Sequence, residues 1–182
     1  FSKSKAEVAM TGTTLIFIKG INFLVENLLQ SMFLAFFIIS IIMSLLFKNF
    51  KMVLISLIPN IIPLIIAGGI MGYFNIPLKP SSALVFSIVF GISVDYSIHF
   101  LAKFKNELQS KSLEDSIVNT INQTGRSMIF TSFILFFGFI IFAFSNFGGT
   151  IVLGVLTSII LFVAMITNLT LLPSIILYFY KK

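Results

Sequence analysis

Five long apolar stretches separated by short polar connections dominate the chain. They run over about 28–47, 52–74, 83–104, 127–146 and 150–180. Each approaches or exceeds the roughly 20 apolar residues that a helix needs to cross a bilayer core. None alternates with period two, so strands are not predicted. The pattern predicts an all-α fold, a polytopic membrane bundle of five transmembrane helices. Pro59, Pro63, Gly68 and Gly69 interrupt the second stretch, and Pro173 lies near the end of the fifth. One connection is long enough for structure of its own. There Ser112-Leu113-Glu114-Asp115 reads as a capping box. Leu113, Ile117 and Ile121 then recur every four residues, which predicts a short helix over about 112–124 that Gly125 ends. That helix is either an interfacial element coupling two spans or a linker on the headgroups. Residues 1–27 read as the end of an extracytoplasmic domain, with a strand-like start (Glu7 to Met10), a break at Gly12 and an amphipathic lead-in to the first span.

Composition supports the membrane reading. Of 182 residues 58% are hydrophobic and 10% charged, with a mean hydropathy of +1.10. Soluble domains carry about 25% charged residues, so this chain lacks the polar groups to cover a water-facing surface. The net charge is +6, yet no basic cluster with interleaved aromatics is present, and a nucleic-acid partner is not expected. Charge placement sets the orientation instead. Lys48, Lys51, Lys103, Lys105, Lys111, Arg126, Lys181 and Lys182 fall on one side, and Lys3, Lys5, Lys19 and Lys79 on the other. The positive-inside rule then puts the C-terminus in the cytoplasm and residues 1–27 outside. The chain opens on Phe1 with no charged region ahead of a short apolar run. No signal peptide is expected, and the chain reads as the C-terminal piece of a longer protein.

Asp95 is the one acid or base deep within a span. A carboxylate at mid-membrane costs about 2.5–3.5 kcal/mol on insertion scales, so its presence calls for a function or a partner. Ser87, Gly91, Asp95 and His99 recur every four residues and form one polar or small stripe, which should face other helices or a wet path. Gly91 would let another backbone come close. Asp95 reads as a proton carrier, against the plainer reading of a helix–helix hydrogen bond that fixes packing. For His99 a relay and an interfacial histidine are both open, and for Tyr96 a hydrogen-bond partner and an interfacial filler. Pro59-Asn60 and Pro63 imply a kink, either a hinge or static. Thr131, Ser132, Gly138, Gly154, Ser158, Ala164 and Asn168 read as close-packing faces. The 23 phenylalanines read as lipid-facing bulk, with a few free to line a hydrophobic path.

Most other chemistry is excluded. No phosphate-binding G-x-x-x-x-G-K-[ST] loop occurs. A single histidine and no cysteine rule out a His/Cys metal cluster. A Ser–His protease lacks a suitable serine setting, and an aspartyl protease lacks a second acid. No enzyme, cofactor or metal site is expected.

The segment Gly91-Ile92-Ser93-Val94-Asp95-Tyr96-Ser97-Ile98-His99-Phe100 resembles the G-x-x-V-D-Y-x-I-H signature of the MMPL-type branch of the resistance–nodulation–division (RND) superfamily. Ile58-Pro59-Asn60-Ile61-Ile62-Pro63 with Gly69 and Gly72 is similar to its P-N-x-x-P helix. Thr131-Ser132, Gly138-Phe139, Gly154 and Leu171-Leu172-Pro173 resemble its last two helices. The resemblance covers about residues 12–180 and implies helices eight to twelve of a twelve-helix transporter. It implies a proton relay at Asp95 and Tyr96 shared with the N-terminal half of the same transporter. It also implies contact with membrane lipids, a lipid-like or hydrophobic substrate exported by the proton-motive force, and a place in the inner cell membrane. The five-helix unit is similar to sterol-sensing domains as well, which leaves a non-transporting lipid-sensing module as the alternative. SecDF-type relatives carry D-A-N where this chain has Asp95-Tyr96-Ser97, and Asn168 stands where many relatives carry an acid.

Overall fold

The computed structural model describes residues 12–47 and 50–180. The strand-like Glu7 to Met10 segment and the basic residues Lys3, Lys5, Lys48, Lys181 and Lys182 lie outside the described residues. Among the described residues six α-helices follow one another: α1 (Thr13–Phe47), α2 (Phe50–Tyr73), α3 (Pro80–Glu107), α4 (Leu113–Thr120), α5 (Arg126–Ile140) and α6 (Gly148–Tyr180). No strand occurs among the described residues. Among the described residues five helical stretches are long and apolar enough to cross a membrane, as many as the sequence predicts.

Two boundaries differ from the sequence reading. Helix α1 begins at Thr13, so the amphipathic lead-in is part of the helix. Its 35 residues extend about 52 Å, well beyond a hydrocarbon core of about 30 Å. Gly125, expected to end the short helix, does not. A π turn over Ile121–Gly125 carries α4 directly into α5. At the other end α5 tightens into a 3-10 turn, Ile141–Phe144.

Local chemistry explains the remaining ends. Pro80 occupies the first turn of α3, where a missing N–H costs nothing. The Ser82 hydroxyl accepts the Lys79 N–H at 2.8 Å. Asn75 (φ 52°) makes the left-handed residue of the turn after α2. The capping role of Ser112 is observed, since its Oγ accepts the Asp115 N–H at 3.2 Å and its hydroxyl donates to Asp115 Oδ2 at 2.6 Å. Pro59 and Pro63 both lie inside α2 without breaking it.

Helix α6 is central, packed against α2, α3 and α5, while α1 leans on α2 and α3 at the edge. Two apolar clusters fill the bundle. One, at the α4 end, gathers Met43, Phe47, Met52, Phe100, Phe104, Ile117, Met128 and Ile176. The other gathers Leu64, Ala67, Val85, Val89, Leu156 and Ile160. Ile117 is buried in the first cluster, with Leu113 and Ile121 packed against it. The apolar stripe of α4 therefore packs on the bundle. Most of the outward surface is apolar, with Phe33, Phe37, Phe130 and Phe137 exposed, whereas Phe100 and Phe104 are fully buried.

Candidate functional site

Helix α3 presents two polar faces. The first is the predicted stripe, on which Ser87, Gly91, Asp95 and His99 are all exposed. The Asp95 and His99 side chains are 63% and 70% accessible, and His99 Nε2 lies 3.3 Å from Asp95 Oδ1. An open groove of about 550 Å³ runs along this face, between α3 and the segment from the π turn into α5. Asp95, His99, Lys103 and Asn106 form one wall, and Gln123, Thr124, Ser127 and Thr131 the other. The second wall carries no charge. A carboxyl group and an imidazole in hydrogen-bond range, within a polar cleft, can accept a proton and hand it on.

Lys103, though it lines the groove, is engaged elsewhere. Its Nζ lies 2.7 Å from Glu107 Oε1, and Lys111 Nζ lies 2.6 Å from Glu107 Oε2. Glu107, not singled out by the sequence reading, thus ties the last turn of α3 to the connection that follows. The i, i+4 spacings of Lys103, Glu107 and Lys111 were the available signal.

The second face is buried. Ser93 and Ser97 point into the bundle, where Asn60 of α2 and Asn168 of α6 meet them. The Ser97 hydroxyl donates to Asn168 Oδ1 at 2.6 Å, and Asn168 Nδ2 donates to Ser93 Oγ at 3.1 Å. Ser93 in turn donates to Asn60 Oδ1 at 2.7 Å, and Asn60 Nδ2 to the Ser56 carbonyl at 2.7 Å. The second Asn168 amide hydrogen goes to the Ala164 carbonyl at 3.0 Å. Each of the four side chains has at least one hydrogen-bond partner, as a polar group inside an apolar bundle requires.

The predicted residues are therefore not all brought together. Tyr96 is buried and turned toward α5, where its Oη lies 2.6 Å from Ser132 Oγ, so among the described residues its hydrogen-bond partner is a hydroxyl and not a carboxylate. Gly91 brings no backbone close among the described residues, because a Cβ placed there meets nothing within 4 Å. The close approach occurs at Gly154, where a Cβ would lie 2.6 Å from the Phe139 carbonyl oxygen. Asn60 belongs to the buried network with Asn168, and Pro59 and Pro63 flank it in α2. No group of three or more acidic, histidine or cysteine side chains arranged to hold a metal occurs among the described residues.

Fold and site define a polytopic α-helical membrane protein with an acid on the open face of a spanning helix. The model of the MMPL family matches residues 2–181, and the chain belongs to that family. Membership agrees with the membrane-spanning helices in making it a membrane protein. A protein of Methanocaldococcus jannaschii named "Putative membrane protein MJ1562" is 28% identical over 139 residues, covering 76% of this chain. The match covers 36% of that relative, so this chain corresponds to about a third of its length. No solved structure matches.

Proposed function

We propose that the chain is the C-terminal transmembrane half of a proton-driven exporter of lipids or other hydrophobic molecules. Asp95 is the proton carrier, His99 its relay toward the α4 end, and Tyr96 a buried partner that holds α5 beside the site. The observation that carries this reading is Asp95 itself. It is an acid on a membrane-spanning helix, accessible in a polar groove, with His99 at 3.3 Å and no charge supplied by the facing wall. Ionisable groups inside membranes pair or carry ions. An accessible, unpaired face on α3 suits a partner helix from an N-terminal half of the same transporter. The excess of Lys and Arg in the connections at the α4 end supports a cytoplasmic C-terminus in the inner cell membrane. The electrical part of the gradient supplies about 2.3 kcal/mol per charge per 100 mV.

The test is proton-coupled transport by the complete protein carrying Asp95→Asn. Transport is expected to fall at least tenfold at unchanged membrane abundance. Wild-type transport by the variant rejects the carrier role.

A second reading, a lipid-sensing module that does not transport, draws on one observation. An apolar groove of about 430 Å³ lies between α1, α2 and α3, lined by residues including Leu28, Met32, Phe36, Ile61, Leu64 and Phe86. This reading expects lipid binding that is indifferent to membrane potential and to Asp95→Asn.

A further inference from the structure

We infer that Asn60, Ser93, Ser97 and Asn168 are positioning residues for Asp95: a rotational lock that fixes which way α3 presents its acid. The inference rests on the proton-carrier reading of Asp95 and adds the residues that aim it. Ser93 and Ser97 stand two positions before and two after Asp95. At about 100° per residue both lie about 160° around the helix from it, nearly diametrically opposite. The acid faces the open groove because the two serines face Asn60 and Asn168.

Three features make the lock specific to rotation. Its bonds leave α3 toward two different helices, Asn60 on α2 and Asn168 on α6, so turning α3 either way loses both sets together. Its bonds are interlinked, running from Ser97 through Asn168, Ser93 and Asn60 to the Ser56 carbonyl with the Ser97 hydroxyl also 3.1 Å from Asn60 Oδ1, so each serine lies within hydrogen-bond distance of both asparagines. All of its members are buried and none is titratable. Proton binding and release at Asp95 leave it intact, and α2, α3 and α6 move as one body through the cycle. Among the described residues the charged and titratable groups that line the groove with Asp95 are all on α3: His99, Lys103 and Tyr96. The π turn and α5 contribute only Gln123, Thr124, Ser127, Met128 and Thr131.

Residue 97 offers a controlled test, because Thr and Val have nearly the same shape and differ by a hydroxyl. Both Ser97→Thr and Ser97→Val add the same bulk at a fully buried site, so steric damage is shared. The complete protein is reconstituted in vesicles under a proton gradient, with a fluorescent phosphatidylethanolamine as the transported probe. Rates are normalised to folded protein, and the pH of half-maximal rate is recorded. Ser97→Val and Asn168→Leu are expected to lose at least tenfold in rate per molecule and to move the half-maximal pH by at least half a unit. Ser97→Thr is expected to keep the wild-type pH profile and at least five times the Val rate. Equal behaviour of the Thr and Val variants, or rates that follow abundance with an unchanged pH profile, overturns the lock. Asp95→Asn, run alongside, separates the two ideas. Its inactivity with equal Thr and Val variants removes only the lock, whereas wild-type transport by Asp95→Asn overturns the lock and the carrier reading together.

Discussion

Replacing Gly154 by alanine adds one carbon atom at the tightest helix crossing in the bundle. The new Cβ would lie 2.6 Å from the Phe139 carbonyl oxygen, 2.6 Å from Phe142 Cβ and 3.2 Å from the Phe142 carbonyl carbon. Two of these three atoms are backbone, so no rotamer change relieves the clash, and α6 must move away from the end of α5. Overpacking of this kind costs about 1–3 kcal/mol, and an immovable neighbour places Gly154 at the upper end. Alanine returns up to about 1 kcal/mol of helix propensity. The net expectation is a loss of about 2 kcal/mol, near thirtyfold in the folding equilibrium. Gly91→Ala is the internal control. Its Cβ meets nothing within 4 Å, so the propensity gain stands alone and stability should hold or rise. Equilibrium unfolding in mixed micelles, followed by circular dichroism, measures both. A Gly154→Ala protein within about 0.5 kcal/mol of wild type would show that the crossing is looser than its geometry and would refute the reasoning.

Other changes probe the remaining contacts. A double-mutant cycle of Tyr96→Phe and Ser132→Ala should give a coupling of about 0.6 kcal/mol, the usual size for a hydrogen bond between membrane helices; a coupling of zero means the 2.6 Å contact contributes nothing. Glu107→Gln removes the carboxylate shared by Lys103 and Lys111. Trypsin should then cut after Lys111 several times faster in detergent, and an unchanged rate argues against the tie. Gly91→Ala, harmless to the folded bundle, should lower transport by the complete protein if a partner helix packs on that face. Full activity would place the partner elsewhere.

Hydropathy gives the number of spans because it registers where the chain can leave water. It failed where a helix continues past that boundary. Lys19 and Glu26 are exposed on α1, and their polarity keeps the apolar run from starting until well after the helix begins at Thr13. Gly125 looked like a stop because glycine often terminates helices. In the structure its missing side chain instead lets the π turn lie against α6, where a Cβ would come within 3.1 Å of Leu169 Cδ2. Asp95 was legible because an isolated acid in an apolar run has few explanations. The network behind it was harder to read. Serines are common in spans, and Ser93 and Ser97 gain meaning only when Asn60 and Asn168, 33 and 71 positions from their respective serine partners, are seen to converge on them. The direction of Tyr96 was equally hidden, since sequence gives its place on the helix but not which neighbour stands opposite.

The proton-carrying role of Asp95 is tested most directly by recording proton flux itself. The complete protein is reconstituted in vesicles containing a pH-sensitive dye, and a membrane potential is imposed with and without Asp95→Asn. The account predicts a protein-dependent proton flux in the wild type that disappears in the variant at equal reconstitution. An undiminished flux through Asp95→Asn vesicles would contradict it.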